Sequence, residues 1–270
     1  MAIARYLVRF VLPSRRIKKG LWRRWYRYFD RKMQEKPVCF LNFGMALPDG
    51  EVVDVTPEQE EERSSVQLYH RTVSAADLRG AKVLEVSSGR GGGADYMASR
   101  LGAGLVVGLD QTESALAFCR RQYSASNLHF VCGDAMALPF AEGAFDAVVN
   151  VEASHCYPDA PAFFAQVCRV LRPGGRFLYA DFRADRIFDR WQYDLRASGL
   201  TKIDEENITQ RVVESLSQTH ERRANLMTEI APRLMRRAFS QFAGARGSVM
   251  YRAFEKRRAR YMRYAFEKPA

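Results

Sequence analysis

Short continuous apolar runs alternate along this chain with stretches in which apolar residues return every three or four positions. The runs are Val83-Leu84-Glu85-Val86, Leu105-Val106-Val107-Gly108-Leu109-Asp110, Leu128-His129-Phe130-Val131-Cys132, Phe145-Asp146-Ala147-Val148-Val149-Asn150-Val151 and residues 176–182. Each is short for a helix, and the first, second and fourth are rich in valine, so each predicts a strand. Between them, residues 94–101 and 112–123 carry helical spacing. A further helix opens at Asp159-Ala160-Pro161, turns Phe163, Phe164, Val167 and Val170 to one side, and is closed by Leu171-Arg172-Pro173-Gly174-Gly175. Strand and helix in alternation predict an α/β fold with a parallel sheet and crossover helices. Thr56-Pro57-Glu58-Gln59 starts an earlier helix, running to about residue 75 with Val66, Tyr69 and Val73 on one face. After the fifth strand, residues 183–244 read as helical, with Ile187, Trp191 and Leu195 in one segment and Ile208, Val212 and Leu216 in the next. This predicts a helical insertion capping the substrate side. Residues 261–266 alternate like a final strand.

The strand ends carry the chemistry. Glu85 is followed by Ser87-Ser88-Gly89-Arg90-Gly91-Gly92-Gly93, a glycine turn that lets backbone approach a ligand and leads into a helix whose first amides face it. Such turns also serve simply to pack a strand on a helix, so the second strand's end matters. It supplies Asp110, then Gln111, at the distance where an acid accepts hydrogen bonds from a ribose. The third ends in Gly133-Asp134-Ala135, and Asn150 stands near the end of the fourth. In a doubly wound sheet these ends border one crevice. His155 follows the fourth strand and Asp181 ends the fifth, so Asp181 is placed to fix the imidazole in one tautomer for general-base work. Structural roles stay open for both: His155 as a cap on the helix at Asp159, Asp181 as a partner of Arg183 or Arg186. His70 reads as a packing or surface residue.

This order of pieces resembles the class I S-adenosylmethionine-dependent methyltransferases, with Glu85, Gly89, Gly91, Asp110 and Asp134 matching that family's motifs. The resemblance implies a Rossmann-like sheet and S-adenosylmethionine as cofactor, held by Glu85, Ser87, Gly89, Gly91, Asp110, Gln111, Asp134, Ala135 and Asn150. Ser87 stands where the family has its first glycine, so a less tight turn is expected. More narrowly, Val149-Asn150-Val151-Glu152-Ala153-Ser154-His155-Cys156-Tyr157-Pro158, Gln67-Leu68-Tyr69-His70 and Leu41-Asn42-Phe43-Gly44 resemble the phthiotriol/phenolphthiotriol dimycocerosate methyltransferases and the fatty-acid O-methyltransferases, from about residue 40 to the end. That implies transfer to a hydroxyl or carboxyl of a lipid or other small natural product. Sugar O-methyltransferases are similar at His155 and Asp181, which the resemblance makes the catalytic pair.

Length and charge refine the picture. With 270 residues and 47% hydrophobic composition the chain suits one catalytic domain, residues 37–270, with an extension at 1–36. The net charge of +11 is concentrated at the ends: residues 1–36 hold 12 Lys/Arg against Asp30 and Glu35, interleaved with Trp22, Trp25, Tyr26, Tyr28 and Phe29. Rings and cations together suit the face of an anionic membrane, and no apolar stretch is long enough to cross one. A cytoplasmic protein, peripheral at a membrane through residues 1–36, is expected. Cys39, Cys119, Cys132, Cys156 and Cys168, odd in number and widely spaced, predict reduced thiols and no metal site. Basic ends also raise a nucleic-acid methyltransferase, disfavoured because Val-Glu-Ala follows Asn150 where base-methylating enzymes of the amino type carry a Pro-Pro-aromatic motif. A cofactor-binding accessory protein without turnover is the remaining alternative.

Overall fold

The computed structural model describes residues 38–230 and 246–270; the extension at 1–36 lies outside them. Seven strands form one sheet: β1 Lys82–Val86, β2 Leu105–Asp110, β3 Leu128–Cys132, β4 Phe145–Val151, β5 Leu171–Ala184, β6 Thr201–Asn207 and β7 Ala259–Glu267. Their order is β3-β2-β1-β4-β5-β7-β6, with the first five parallel and β7 running antiparallel between β5 and β6. The strand order reverses between β1 and β4, so the crevice expected of a doubly wound sheet opens at their carboxyl ends.

Because side chains alternate across a strand, the sheet divides the core in two. Val83, Val106, Val149, Leu178 and Tyr261 face one layer, built from α1 (Arg63–Val73), α2 (Gly92–Ser99), α6 (Thr209–Gln218) and α8 (Val249–Glu255). Leu84, Val107, Val148, Phe177 and Tyr264 face the other, built from α4 (Ala160–Val170) and α5 (Phe188–Arg196). There Phe177 stacks on Tyr179 at 5.0 Å and meets Phe163 edge-on at 6.0 Å. Truncating such a fully buried ring costs about 3–5 kcal/mol. Helix α3 (Glu113–Gln122) flanks β2 and β3, and α7 (His220–Ile230) follows α6. Asp159 caps α4, its carboxylate accepting from the Ala162 amide at 3.0 Å.

Three expectations change. The segment after β5 is not helical throughout: residues 201–207 form β6, an edge strand in which Ile203 is the one apolar residue, and charge replaces the alternation that marks a strand. Arg263 and Arg71 on the neighbouring elements bind its Asp204 and Glu206. The described helices around it lie on opposite faces of the sheet, α5 with α4 and α6 with α1, and residues 231–244 of the expected cap lie outside the described residues. Because β7 lies inside the sheet with a packed layer on each side, it is buried on both faces from Tyr261 to Phe266 and does not alternate. Finally, β5 begins at Leu171, paired with Phe145, and residues 172–175 bulge out before pairing resumes at Arg176 with Ala147.

Candidate active site

Glu85, near the end of β1, is 1% exposed. Its Oε1 accepts a hydrogen bond from the Tyr69 hydroxyl of α1 at 2.6 Å, and burial pushes the carboxyl up to about 8 against the opposing hydrogen bonds of Tyr69 and the Ala94 amide. Tyr69 reaches this place because Gly93 has no side chain: a Cβ there would stand 2.0 Å from the tyrosine ring and 2.6 Å from Glu85 Oε1. Ser87 takes φ +60°, the left-handed conformation of a glycine, so the turn is not looser for having a side chain. Its hydroxyl lies 2.6 Å from that of Tyr157, which also accepts from Asn150 Nδ2 at 3.0 Å. Asn150 Nδ2 donates as well to the Val86 carbonyl at 2.8 Å, tying β4 to the end of β1.

Asp110 closes the turn. Its two oxygens accept from the amides of Gly89 and Thr112, each at 2.9 Å, and the remaining lone pairs are free for other donors. Gln111 is exposed next to it. Asp134 is also exposed, its Oδ1 accepting from the Met136 amide at 2.9 Å, while Ala135 is buried and the neighbouring Gly133 amide donates to the Asp110 carbonyl at 3.0 Å. The two glycines do not both clear space for a ligand. A Cβ on Gly91, at φ +79°, would meet Tyr123, Phe130 and Cys119 within 3.0 Å, so that glycine serves packing, whereas a Cβ on Gly89 would only touch Leu41, at 3.8 Å.

At the ends of β4 and β5 lies a second cluster. Asp181, fully buried, accepts from His155 Nδ1 at 2.8 Å, the His155 amide at 2.9 Å and the Ser154 hydroxyl at 2.7 Å, and pairs with Arg183 at 3.1 Å. Ser154 in turn accepts from Tyr179 at 2.5 Å and Arg183 at 2.8 Å, and Trp191 donates to the Tyr179 hydroxyl at 3.1 Å. The His155 ring packs on Phe182 at 4.3 Å and its side chain keeps 14% exposure. Burial opposes its charging, but the Asp181 carboxylate and hydrogen bond prevail and push the imidazole up to about 9. Burial likewise opposes ionisation of Asp181; Arg183 and His155 overcome it and hold the carboxyl well below the usual range. Asp181 therefore serves both partners that the sequence offered it as alternatives, His155 and Arg183. The helix at Asp159 is capped by Asp159 itself, not by His155.

Sequence reasoning missed three participants. Tyr69 and Tyr157 lie 16 and 70 residues from the Glu85 and Ser87 they bond, and only the folded chain reveals those contacts. Glu152 could have been found, because it is an acid directly after the fourth strand, whose end borders the crevice; it takes φ +52°, an uncommon conformation for a residue with a long side chain. Its carboxylate accepts from the Phe43 amide at 2.8 Å and the Tyr261 hydroxyl at 3.1 Å, and burial pushes it up to about 7. His70, by contrast, packs on Tyr96, whose hydroxyl lies 2.8 Å from Nδ1.

The crevice fits a polar ligand that carries donors. Glu85 Oε2, Ser88 Oγ and Asn150 Oδ1 are buried with no hydrogen-bond partner, and each such group costs about 1–3 kcal/mol unless a ligand supplies one. A cationic amine suits the carboxylate, and hydroxyls suit the open lone pairs of Asp110. Among the described residues no cluster of His, Cys, Asp and Glu could hold a metal ion.

A methyltransferase-domain family model matches residues 84–179. The phthiotriol/phenolphthiotriol dimycocerosates methyltransferase of Mycobacterium tuberculosis is 37% identical over 252 residues, 93% of each chain. The fatty-acid O-methyltransferase of Mycolicibacterium smegmatis is 37% identical over 245 residues, 91% of this chain and 89% of that one. In fold the chain matches the crystal structure of the [4+2]-cyclase SpnF, with a TM-score of 0.68 at 21% identity, covering 92% of this chain and 94% of that one. Other structures of the fold are complexes with S-adenosylhomocysteine or sinefungin. Fold, motifs and relatives define an S-adenosylmethionine-dependent methyltransferase of class I. Within that class the chain belongs to the family of the phthiotriol/phenolphthiotriol dimycocerosates methyltransferases and fatty-acid O-methyltransferases.

The buried acid gives a stability test. Glu85 keeps its proton in the folded, ligand-free chain up to about 8, whereas the unfolded chain releases it near 4.5, so its contribution to stability falls as pH rises between those values. Glu85→Gln cannot ionise. Its stability relative to wild type is expected to rise by a few kcal/mol across that window and to level off above it. Urea unfolding of the ligand-free proteins at acid, neutral and alkaline pH measures this; a constant difference would contradict it.

Proposed function

We propose that the chain transfers a methyl group from S-adenosylmethionine to a hydroxyl of a lipid or lipid-like natural product, with His155 as general base. The observation that carries this reading is the 2.8 Å bond between His155 Nδ1 and fully buried Asp181, beside the acid-lined crevice at the sheet's switch point. Two relatives named for lipid substrates support the acceptor class.

In this reading Glu85 receives the cofactor's ammonium group at its unpartnered Oε2, and Asp110 receives the ribose hydroxyls. Asp134 and Ala135 meet the adenine, and Ser87, Gly89, Gly91, Gln111 and Asn150 shape the turn and floor around them. The cofactor supplies an activated methyl group on a cationic sulfur and a neutral leaving group. The chain's own task is then to orient the acceptor and take its proton. Asp181 fixes the His155 tautomer with the proton on Nδ1, which leaves Nε2 as the atom available to an acceptor hydroxyl. The ligand-free imidazole, pushed up to about 9, is charged at neutral pH. A cation bound in the crevice opposes that charge, so cofactor binding itself prepares His155 to act as a base. The peripheral membrane contact inferred for residues 1–36 would bring the enzyme to such acceptors.

Two measurements test the assignment. Asp110→Ala removes the proposed ribose acceptor and is expected to weaken S-adenosylmethionine binding in calorimetry by about 1.5–3 kcal/mol; an unchanged affinity would take Asp110 out of the site. With an alcohol acceptor, His155→Ala is expected to lower kcat by about 10²–10⁴ with little change in cofactor affinity, and Asp181→Asn by somewhat less. A carboxylate acceptor, as in the fatty-acid enzymes, is already ionised at neutral pH and needs no base. If the acceptor is a fatty acid, kcat survives loss of His155. Full kcat on an alcohol without His155 would remove it from the chemistry.

A further inference from the structure

Over much of this surface the exposed cations have acids beside them: Arg79 has Asp77, Arg120 has Glu113, Arg190 has Asp194, Lys202 has Glu205 and Arg260 has Asp185. The end of α8 departs from this. Arg252, Lys256, Arg257 and Arg258 are exposed, and among the described residues no carboxylate lies within ion-pair distance of any of them. Glu255 is the one acid on this stretch. Arg252, Lys256 and Arg258, together with Val249 and Ala253, line a shallow groove of about 430 Å³, and Val249 is 46% exposed.

The inner face of the same helix belongs to the site. Phe254 is 1% exposed, and its ring lies 5.5 Å from Phe182, which packs on His155 at 4.3 Å. One short helix thus turns a wall of the catalytic cluster inward and unpaired cations around an exposed aliphatic residue outward. We propose that this outer face of α8 docks on the phosphate headgroups of an anionic lipid surface. Clustered cations without internal partners repel one another until an external anion neutralises them, and long Lys and Arg side chains reach headgroups while an aliphatic residue between them enters the interface. No aromatic side chain lines the groove, which leaves no stacking platform for single-stranded nucleic acid. The proposal does not depend on His155 acting as a base.

The test uses the full chain in co-sedimentation with vesicles of phosphatidylglycerol and phosphatidylcholine in equal parts, against phosphatidylcholine alone. Wild type is expected to bind the anionic vesicles, and added salt to weaken the binding. Replacing Arg252, Lys256 and Arg258 together by Gln is expected to lower partitioning about a hundredfold, a factor of about five for each cation. The thermal midpoint and S-adenosylmethionine affinity should be unchanged, and Arg252→Lys with Arg258→Lys should bind as wild type does. Undiminished partitioning of the triple variant, or equal binding to phosphatidylcholine alone, would overturn the proposal. A wild type that ignores both vesicles but is retained on immobilised RNA would overturn it in favour of nucleic acid.

Discussion

Asp181 has no solvent exposure, and the arrangement of the site depends on what surrounds it. A carboxylate out of water costs several kcal/mol unless charge and hydrogen bonds replace its hydration. Here Arg183 supplies the charge at 3.1 Å, and Ser154, the His155 amide and the His155 ring supply the bonds. Arg183 is itself held over the Trp191 ring at 4.7 Å. Every donor on the β4 side belongs to the turn Ser154–Cys156, so satisfying one buried charge fixes the path of the chain just after β4 and with it the position of the imidazole. Removing the carboxylate would leave Arg183 buried without its counter-charge, a loss of about 3–5 kcal/mol by analogy with other broken buried pairs.

The crevice beside this cluster is built on the opposite principle. Where Asp181 is saturated, Glu85, Ser88 and Asn150 each keep a buried atom without a partner, so the ligand-free fold carries a cost that a bound ligand offsets. Tyr69 lessens that cost at Glu85 by donating to one oxygen, which only the bare Cα of Gly93 permits. One half of the site is thus saturated by the fold itself, and the other keeps atoms open to a ligand.

The strands and the polar groups near their ends were legible because both periodicities are strong and because Glu85, Asp110, Asn150 and Asp181 fall at or near the ends of the apolar runs. Ser87 was legible as a departure but not in its effect: nothing in the sequence says that a serine will accept φ +60° and bond Tyr157. β6 was missed because an edge strand is specified by its neighbours, through Asp204 to Arg263 and Glu206 to Arg71, and Thr-Lys-Ile-Asp-Glu-Glu-Asn has no apolar face to read. A motif records spacing and not direction, so it does not tell that the missing Cβ of Gly91 points at Tyr123 and Phe130. Tyr69 and Tyr157 escaped for the same reason that they matter, since each acts across a fold that brings separate segments together.

The central claim is that His155 faces the reacting sulfur. S-adenosylmethionine and S-adenosylhomocysteine differ there by a methyl group and one positive charge, so the two complexes separate the effect of that charge from the effect of filling the crevice. Nuclear magnetic resonance titration of the His155 imidazole in each complex measures it directly. The account expects a clearly lower pKa with S-adenosylmethionine than with S-adenosylhomocysteine. Equal values would place the imidazole away from the methyl donor and contradict it.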